Sequence, residues 1–248
     1  MGVGPGLGAA CGLGWTALAF GAGYPMVVGI CGPLRAWPGA RLWDLVLAVN
    51  PPGALIAGNG VMIAAMMAPL LSSPLRHVHE RSFSNRRLRA MTLFGVGYGA
   101  AWLIALVALD VIVLGLVAAA TRPVSIVLVA AAALTWQASP AKQTFLNGCH
   151  RRPALAAFGL AADRDALQFG LTHGAWCVGS CWALMALPVV CSPGHLVAMA
   201  LVSLLLSAER LDDPSRPSWR LRGPSRIMRM VQAWLGPTLA GIPAQRLK

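Results

Sequence analysis

Four side chains able to bind soft metal ions recur at every fourth position of one apolar segment. They are His173, Cys177, Cys181 and Met185. Residues four apart share a helix face, so these donors would project along one ridge. The outer two would lie about 18 Å apart at a rise of 1.5 Å per residue, so all four cannot bind one ion. Either a neighbouring pair of these donors binds one ion together with ligands from another helix, or the ridge carries a series of metal sites along its length.

A second group of soft donors, Met62, Met66 and Met67, lies in an earlier apolar segment. Thioether and thiolate ligands suit Cu(I) better than Mg²⁺ or Ca²⁺, while thiolate with imidazole also suits Zn²⁺. Copper, as Cu(I), is therefore the expected ion and zinc the less favoured one. For the methionines alone we favour ordinary packing, because methionine is a common core residue. A histidine inside an apolar span needs a partner, which favours a functional role for the ridge that contains His173.

A third group consists of Gln137, Lys142, Cys149 and His150. We expect Pro140 to end or kink a helix, since proline lacks the N–H that continues one. Gln137 and Lys142 would then lie near the cytoplasmic boundary. Cys149 and His150 are adjacent and would not share a helix face. The group is either an accessory metal site or a basic loop beside the membrane.

The composition indicates the kind of element that carries these groups. Hydrophobic residues make up 57% of the 248 residues and charged residues only 11%, with a net charge of +12. Soluble domains contain about 25% charged residues, so this composition indicates an integral membrane protein. Cytoplasmic loops of such proteins collect Lys and Arg, and the basic charge therefore needs no nucleic-acid partner.

The predicted fold is all-α, a polytopic transmembrane bundle of about six spans. The apolar stretches are residues 7–30, 54–71, 91–119, 124–136, 167–190 and 195–208. With both termini in the cytoplasm, all but three of the 20 Lys and Arg residues fall on the cytoplasmic side. The expected location is a bacterial inner membrane, crossed several times.

We expect residues 1–248 to form one integral membrane domain, with residues 209–248 as a cytoplasmic tail. Its segment 226–239 mixes apolar residues with arginines and could lie along the membrane interface. The basic loop and tail could also hold anionic lipid or an acidic protein partner. Paired glycines permit close helix contact, within the chain or between copies in a homo-oligomer. The pairs are Gly8 with Gly12, Gly95 with Gly99, and Gly170 with Gly174.

Three motifs together resemble a bacterial family of predicted metal-binding integral membrane proteins, which is defined by a domain of unknown function. The family elements are Ala-Met-Met-x-Pro, Tyr-Gln-x-Ser/Thr-Pro-x-Lys, and Cys-x-Gly-Cys-Cys-Trp-x-Leu-Met. Their counterparts here are residues 65–69, 136–142 and 177–185, and Glu209 matches a glutamate that often follows the last span. The resemblance covers about residues 55–210 and implies a membrane protein that binds metal.

This chain departs from the family pattern at four positions. Ser180 stands in place of the first of two adjacent cysteines, and Phe145 in place of a cysteine after the lysine element. His150 replaces an arginine and Trp136 a tyrosine. With up to two thiols fewer, the family site would be weaker, differently tuned or absent.

Three functions agree with these patterns. The first is copper handling, by binding, transport or delivery, through Met, Cys and His donors on facing helices. The second is a membrane thiol oxidoreductase, although redox motifs usually place two residues between their cysteines. The third is a scaffold subunit without chemistry. No Walker loop, HExxH, nucleophile elbow or Rossmann fingerprint is present in the sequence, so we do not expect hydrolase or ATPase activity.

Overall fold

The computed structural model of the protein describes residues 3–20, 52–120, 122–190 and 194–221, together with 225 and 230. Throughout these ranges the regular structure is helical. A 3₁₀ turn, Pro69–Leu71, joins the second and third helices. The α-helices are α1 (Val3–Ala19), α2 (Pro52–Met67), α3 (Ser72–Arg81), α4 (Arg87–Ala119), α5 (Arg122–Ala138), α6 (Pro140–Gly148), α7 (Gly159–Val190) and α8 (His195–Arg210).

The all-helical prediction is confirmed for the described residues, and α4, α5, α7 and α8 cover the apolar stretches expected for them. Two helices, over Arg87–Val113 and Gly159–Val190, are long and apolar enough to cross a membrane, and two bent pairs raise that number to four. Six spans and two cytoplasmic termini remain predictions. Residues 21–30 of the first predicted span and most of the tail 209–248 lie outside the described residues.

Prolines divide two of the predicted spans. The helix axis turns by 67° between α5 and α6, which confirms the predicted break at Pro140. Ser139 caps α6, since its side-chain oxygen accepts a hydrogen bond from the backbone N–H of Lys142 at 3.1 Å. A second turn of 61° separates α2 from the segment that begins at Pro69. The apolar stretch predicted over residues 54–71 is thus bent at Pro69, because a proline ring clashes with the preceding helical turn.

Helix α7 is the centre of the bundle and packs against α4, α5, α6 and α8. Its contact with α4 is close because glycines face backbone. A Cβ on Gly170 would collide with the carbonyl of Phe94, and a Cβ on Gly174 would lie 2.7 Å from that of Ala101. The prediction for the Gly170 and Gly174 pair is thus confirmed. On α4 the contact residue is Gly97, whose added Cβ would lie 2.5 Å from the Leu167 oxygen.

The other two glycine pairs make no such contact within the described part of the chain. A Cβ added at Gly8, Gly12, Gly95 or Gly99 would meet nothing within 4 Å. Close helix contact at these two pairs therefore stays a prediction. The pattern predicted the right kind of contact, but spacing alone does not tell which face of a helix meets a neighbour.

Helix α4 has one buried and one exposed side. Phe94, Tyr98, Trp102 and Leu106 recur every fourth residue and are buried. On other sides of the helix, large apolar side chains are exposed, and Ile104 is 73% exposed. An exposed apolar surface of this kind is costly in water and normal in lipid.

Candidate metal site

Three cysteines form a buried group, here called the thiol cluster. Cys177 and Cys181 lie one turn apart on α7, and Cys149 caps the C-terminal end of α6. Cys177 is 1% exposed and Cys149 is 3% exposed. The side chains of Cys177 and Cys181 lie close to each other, and Cys149 lies near Cys177. The bend at Pro140 and the packing of α6 on α7 bring the third thiol to the other two.

The sulfur of Cys177 lies close to several groups that can donate hydrogen bonds. The Nη2 of Arg210 donates to its Sγ at 3.1 Å, and the hydroxyl of Tyr98 lies 3.3 Å from the same atom. The indole N–H of Trp102 is also buried beside it, without a well-formed hydrogen bond. A guanidinium and a phenol within hydrogen-bonding distance stabilise a thiolate, which is the form of cysteine that binds metals.

The other two sulfurs act as donors. Cys181 Sγ donates to the carbonyl of Cys177 at 2.9 Å, and Cys149 Sγ donates to the carbonyl of Phe145 at 3.3 Å. Burial raises the pKa of the Cys149 thiol to about 12, although the Arg210 charge partly opposes this shift. The cluster therefore contains one acceptor sulfur and two thiols that carry their protons.

Arg210 supplies the positive charge of the cluster. Burial alone would lower its pKa, but the facing groups of Cys177, Cys149 and Cys181 raise that pKa above its ordinary value. Its Nη2 also lies 3.5 Å from the Ser180 hydroxyl. A buried cation next to sulfur favours a site that carries net negative charge.

His173 precedes Cys177 by one turn and is 3% exposed. The rings of Phe94, Tyr98 and Phe169 surround it, with centroids 5.7–6.1 Å from its own. Its Nδ1 is buried and has no hydrogen-bond partner among the residues that the structure describes. A buried polar nitrogen without a partner costs about 1–3 kcal/mol, so this orphan points to a ligand that the nitrogen would bind.

The residues of the predicted accessory site lie in different surroundings in the structure. Lys142 Nζ contacts Glu209 Oε1 and Oε2 at 2.6 and 2.7 Å, and Gln137 hydrogen-bonds to both residues. This buried network joins α5, α6 and α8. The Nδ1 of His150 lies 3.1 Å from the Leu146 carbonyl. Of the four predicted residues, only Cys149 belongs to the thiol cluster.

The predicted methionine donors are buried in the hydrophobic core. Met62, Met66 and Met67 lie on α2, which packs against α1, α4 and α8, and Met185 lies on α7. Their role as ligands stays a prediction. Among the described residues, no group of three or more His, Cys, Asp or Glu side chains is arranged to hold a metal ion.

The two positions with lost family cysteines have different surroundings. Ser180 lies in the thiol cluster, where its hydroxyl donates to the Cys177 carbonyl at 2.8 Å. The ring of Phe145 instead covers Gly179, where an added Cβ would collide with it. The same ring packs against Trp136 and Trp176, so it fills the interface between α6 and α7.

Sequence reasoning missed Arg210 and Tyr98. Arg210 and its neighbour Glu209 are the final two residues of α8. Both side chains turn inward. A charged pair at the very end of an apolar helix was the available signal, but nothing local tells whether such a pair faces water or a neighbouring helix.

Comparison with known proteins gives one family. The family model PpoB2, described as a copper chaperone, matches residues 57–232. This range contains the thiol cluster, Arg210, Tyr98 and His173. No curated protein and no solved structure matches the chain.

Proposed function

Because this chain belongs to the PpoB2 copper chaperone family, we propose that it binds Cu(I) at the thiol cluster and passes the ion on as cargo. The observation that carries the proposal is the buried Cys177 sulfur held by Arg210 at 3.1 Å and Tyr98 at 3.3 Å. Thiolate is a soft ligand and favours Cu(I).

We propose Cys177 and Cys149 as the first two ligands. Cys177 already accepts hydrogen bonds, and Cys149 approaches it from a different helix. Rotation of the Cys149 side chain breaks its hydrogen bond to the Phe145 carbonyl and frees the sulfur. Two thiolates with one Cu(I) carry a net charge of −1, and Arg210 balances that charge. Cu²⁺ or Zn²⁺ with the same two ligands would be neutral and would gain less from Arg210.

Cys181 and His173 are the proposed donors for transfer. Each lies one helical turn from Cys177, on opposite sides of it along α7. The orphaned Nδ1 of His173 gains a partner when it binds the ion. Met185, Met62, Met66 and Met67 are the proposed outer donors of this path, and neighbouring soft ligands allow the ion to move without release into water.

The proposed setting is a bacterial inner membrane crossed several times, with both termini in the cytoplasm. Two to four apolar helices and the exposed apolar side chains of α4 support a membrane location. A membrane or soluble copper protein would receive the ion. We also propose that copies of this chain assemble. The Gly95 and Gly99 pair, which makes no close contact within the described part of the chain, supports this, since small residues favour contact between helices.

The test is the copper content of the protein purified in detergent and loaded with Cu(I) under anaerobic conditions. We expect one Cu(I) per chain, lost in the Cys177→Ser and Cys149→Ser variants. Cys11→Ser is the matched control, because Cys11 lies on α1 and bonds to the Ala65 carbonyl. Full copper content in Cys177→Ser would overturn the proposal.

The second candidate is a membrane thiol oxidoreductase, which the contact between the Cys177 and Cys181 side chains favours. This function predicts a reversible Cys177–Cys181 disulfide that changes the number of free thiols between reducing and oxidising conditions. A constant number of reactive thiols in both conditions would remove this candidate.

A further inference from the structure

A cavity of about 340 Å³ is lined by residues of α5, α6 and α8 and of the segment that follows α8. One side of its lining consists of the buried residues Gln137, Lys142 and Glu209, and the other side includes the exposed residues Asp213, Arg220 and Leu221. The cavity therefore runs from the protein surface to the buried Lys142–Glu209 ion pair.

The buried floor of the cavity adjoins the thiol cluster. Lys142 lies near enough to Cys181 for their charges to interact. On α6, Lys142 and Leu146 line the cavity, and Cys149 follows on the same face one turn later. On α8, Glu209 lines the cavity while the next residue, Arg210, contacts Cys177. Two helices thus connect the cavity with the sulfur atoms.

We propose that this cavity is the entrance through which Cu(I) reaches the thiol cluster, and that the ion arrives as a complex with a small thiol. This inference rests on the proposed function. Cys149, Cys177 and Cys181 are at most 3% exposed, so the surface of a donor protein does not reach them. The volume lies at the small end of the 300–1,000 Å³ found for small-molecule pockets.

The charges of the lining fit such a carrier. Asp212, Asp213 and Arg220 place two carboxylates and one guanidinium in the outer part of the lining, and Asp212 accepts hydrogen bonds from Ser225. A small peptide thiol carries both carboxylate and ammonium groups, which these side chains can pair with. The amide of Gln137 and the Lys142–Glu209 pair provide a polar floor rather than an apolar one.

The transfer is a ligand exchange with no change of oxidation state. The bond between Cu(I) and the carrier sulfur breaks while a bond between Cu(I) and a cluster sulfur forms. The incoming cysteine gives up its thiol proton, and the departing carrier thiolate takes up a proton. The products are the copper-loaded protein and the free carrier thiol.

The test measures the rate at which detergent-solubilised full-length protein takes up Cu(I) from its glutathione complex under anaerobic stopped-flow conditions. Ser215→Trp places a large side chain in the cavity and keeps the backbone hydrogen bonds of Ser215 to Asn147. We expect at least tenfold slower uptake with the same final copper content. Ser84→Trp, at an exposed position outside the cavity lining, is the control and should keep the wild-type rate.

Leu221→Trp provides a second obstruction if Ser215→Trp disturbs folding. An unchanged rate in both cavity variants overturns the entrance while leaving the proposed function in place. Uptake at the wild-type rate from a thiol coupled to a large dextran overturns the small carrier. If the wild-type protein takes up no Cu(I) from any source, the proposed function fails and this inference fails with it.

Discussion

At the scale of single residues, the three thiols differ because of what surrounds each sulfur. Cys177 accepts from Arg210, whereas Cys181 and Cys149 donate to carbonyl oxygens of their own helical turns. A cation at 3.1 Å stabilises a thiolate, and a carbonyl acceptor stabilises a neutral thiol. The cluster therefore has one sulfur that accepts a hydrogen bond from a cation and two that donate to carbonyl oxygens.

Replacing Arg210 tests the charge balance of the copper site. We expect Arg210→Gln to weaken Cu(I) binding by about 10- to 100-fold, the usual effect of removing a group that supports a metal ligand. Arg210→Lys should retain part of the affinity because it keeps the charge. Competition titration with a chromophoric Cu(I) chelator measures the Cu(I) affinity of both variants. Equal affinities in the wild-type and Gln variants would contradict the role given to Arg210.

The pH dependence of copper binding tests the protonation of Cys149. Burial raises its pKa to about 12, so Cu(I) must displace this proton at neutral pH. Affinity should therefore rise with pH, by about tenfold per unit between pH 6 and 8 for one released proton. The titration is corrected for protonation of the chelator. Because Cys149→Ser is expected to bind no Cu(I), the slope is measured in the wild-type protein and in the Cys11→Ser control. An affinity that does not change between pH 6 and 8 would exclude release of the Cys149 proton.

At the scale of helices, the close contact of α4 and α7 sets the distance between the Tyr98 hydroxyl and the Cys177 sulfur. Tyr98 comes from α4 and Cys177 from α7, and the glycines at positions 97, 170 and 174 allow the two backbones to approach. Larger residues there would push the helices apart and separate the phenol from the sulfur.

Gly170→Ala should destabilise the protein, because the new methyl group would collide with the Phe94 carbonyl. Overpacking of this kind costs about 1–3 kcal/mol. Gly115→Ala is the matched control on the partner helix, where an added Cβ meets no described residue within 4 Å. There the change should be neutral or slightly stabilising, since alanine favours helix. Thermal unfolding in detergent compares the two, and equal midpoints would contradict the packing described here.

At the scale of the whole molecule, apolar helices enclose a polar interior that contains Arg210, Lys142, Glu209 and His173. Lys142 and Glu209 form an ion pair, and Arg210 donates a hydrogen bond to the Cys177 sulfur. Large apolar side chains such as Ile104 face outward. This distribution suits a bundle in lipid, whose buried charges mark the functional region.

Reporter fusions test the predicted topology. A fluorescent protein fused to either terminus should fluoresce, and alkaline phosphatase at the same places should be inactive, because both ends are expected in the cytoplasm. The physical reason is the excess of Lys and Arg on that side. Active phosphatase at one end only would require an odd number of spans.

Local rules allowed a good part of this protein to be predicted from its sequence. Apolar runs predicted the helices, Pro140 predicted a break, and the spacing of four placed Cys177 and Cys181 on one face of α7. These features depend on residues a few positions apart, so local geometry is enough to determine them. The orphaned His173 was likewise visible as a polar residue in an apolar run.

Only the tertiary structure decided how the site is assembled. Arg210 and Tyr98 lie 33 and 79 positions from Cys177, and Cys149 comes from a third helix. Helix packing also decided that Gly97 makes the close contact and that Lys142 pairs with Glu209. Each outcome depends on how helices rotate about their axes, and that rotation is set by the packing of the whole bundle rather than by any one segment.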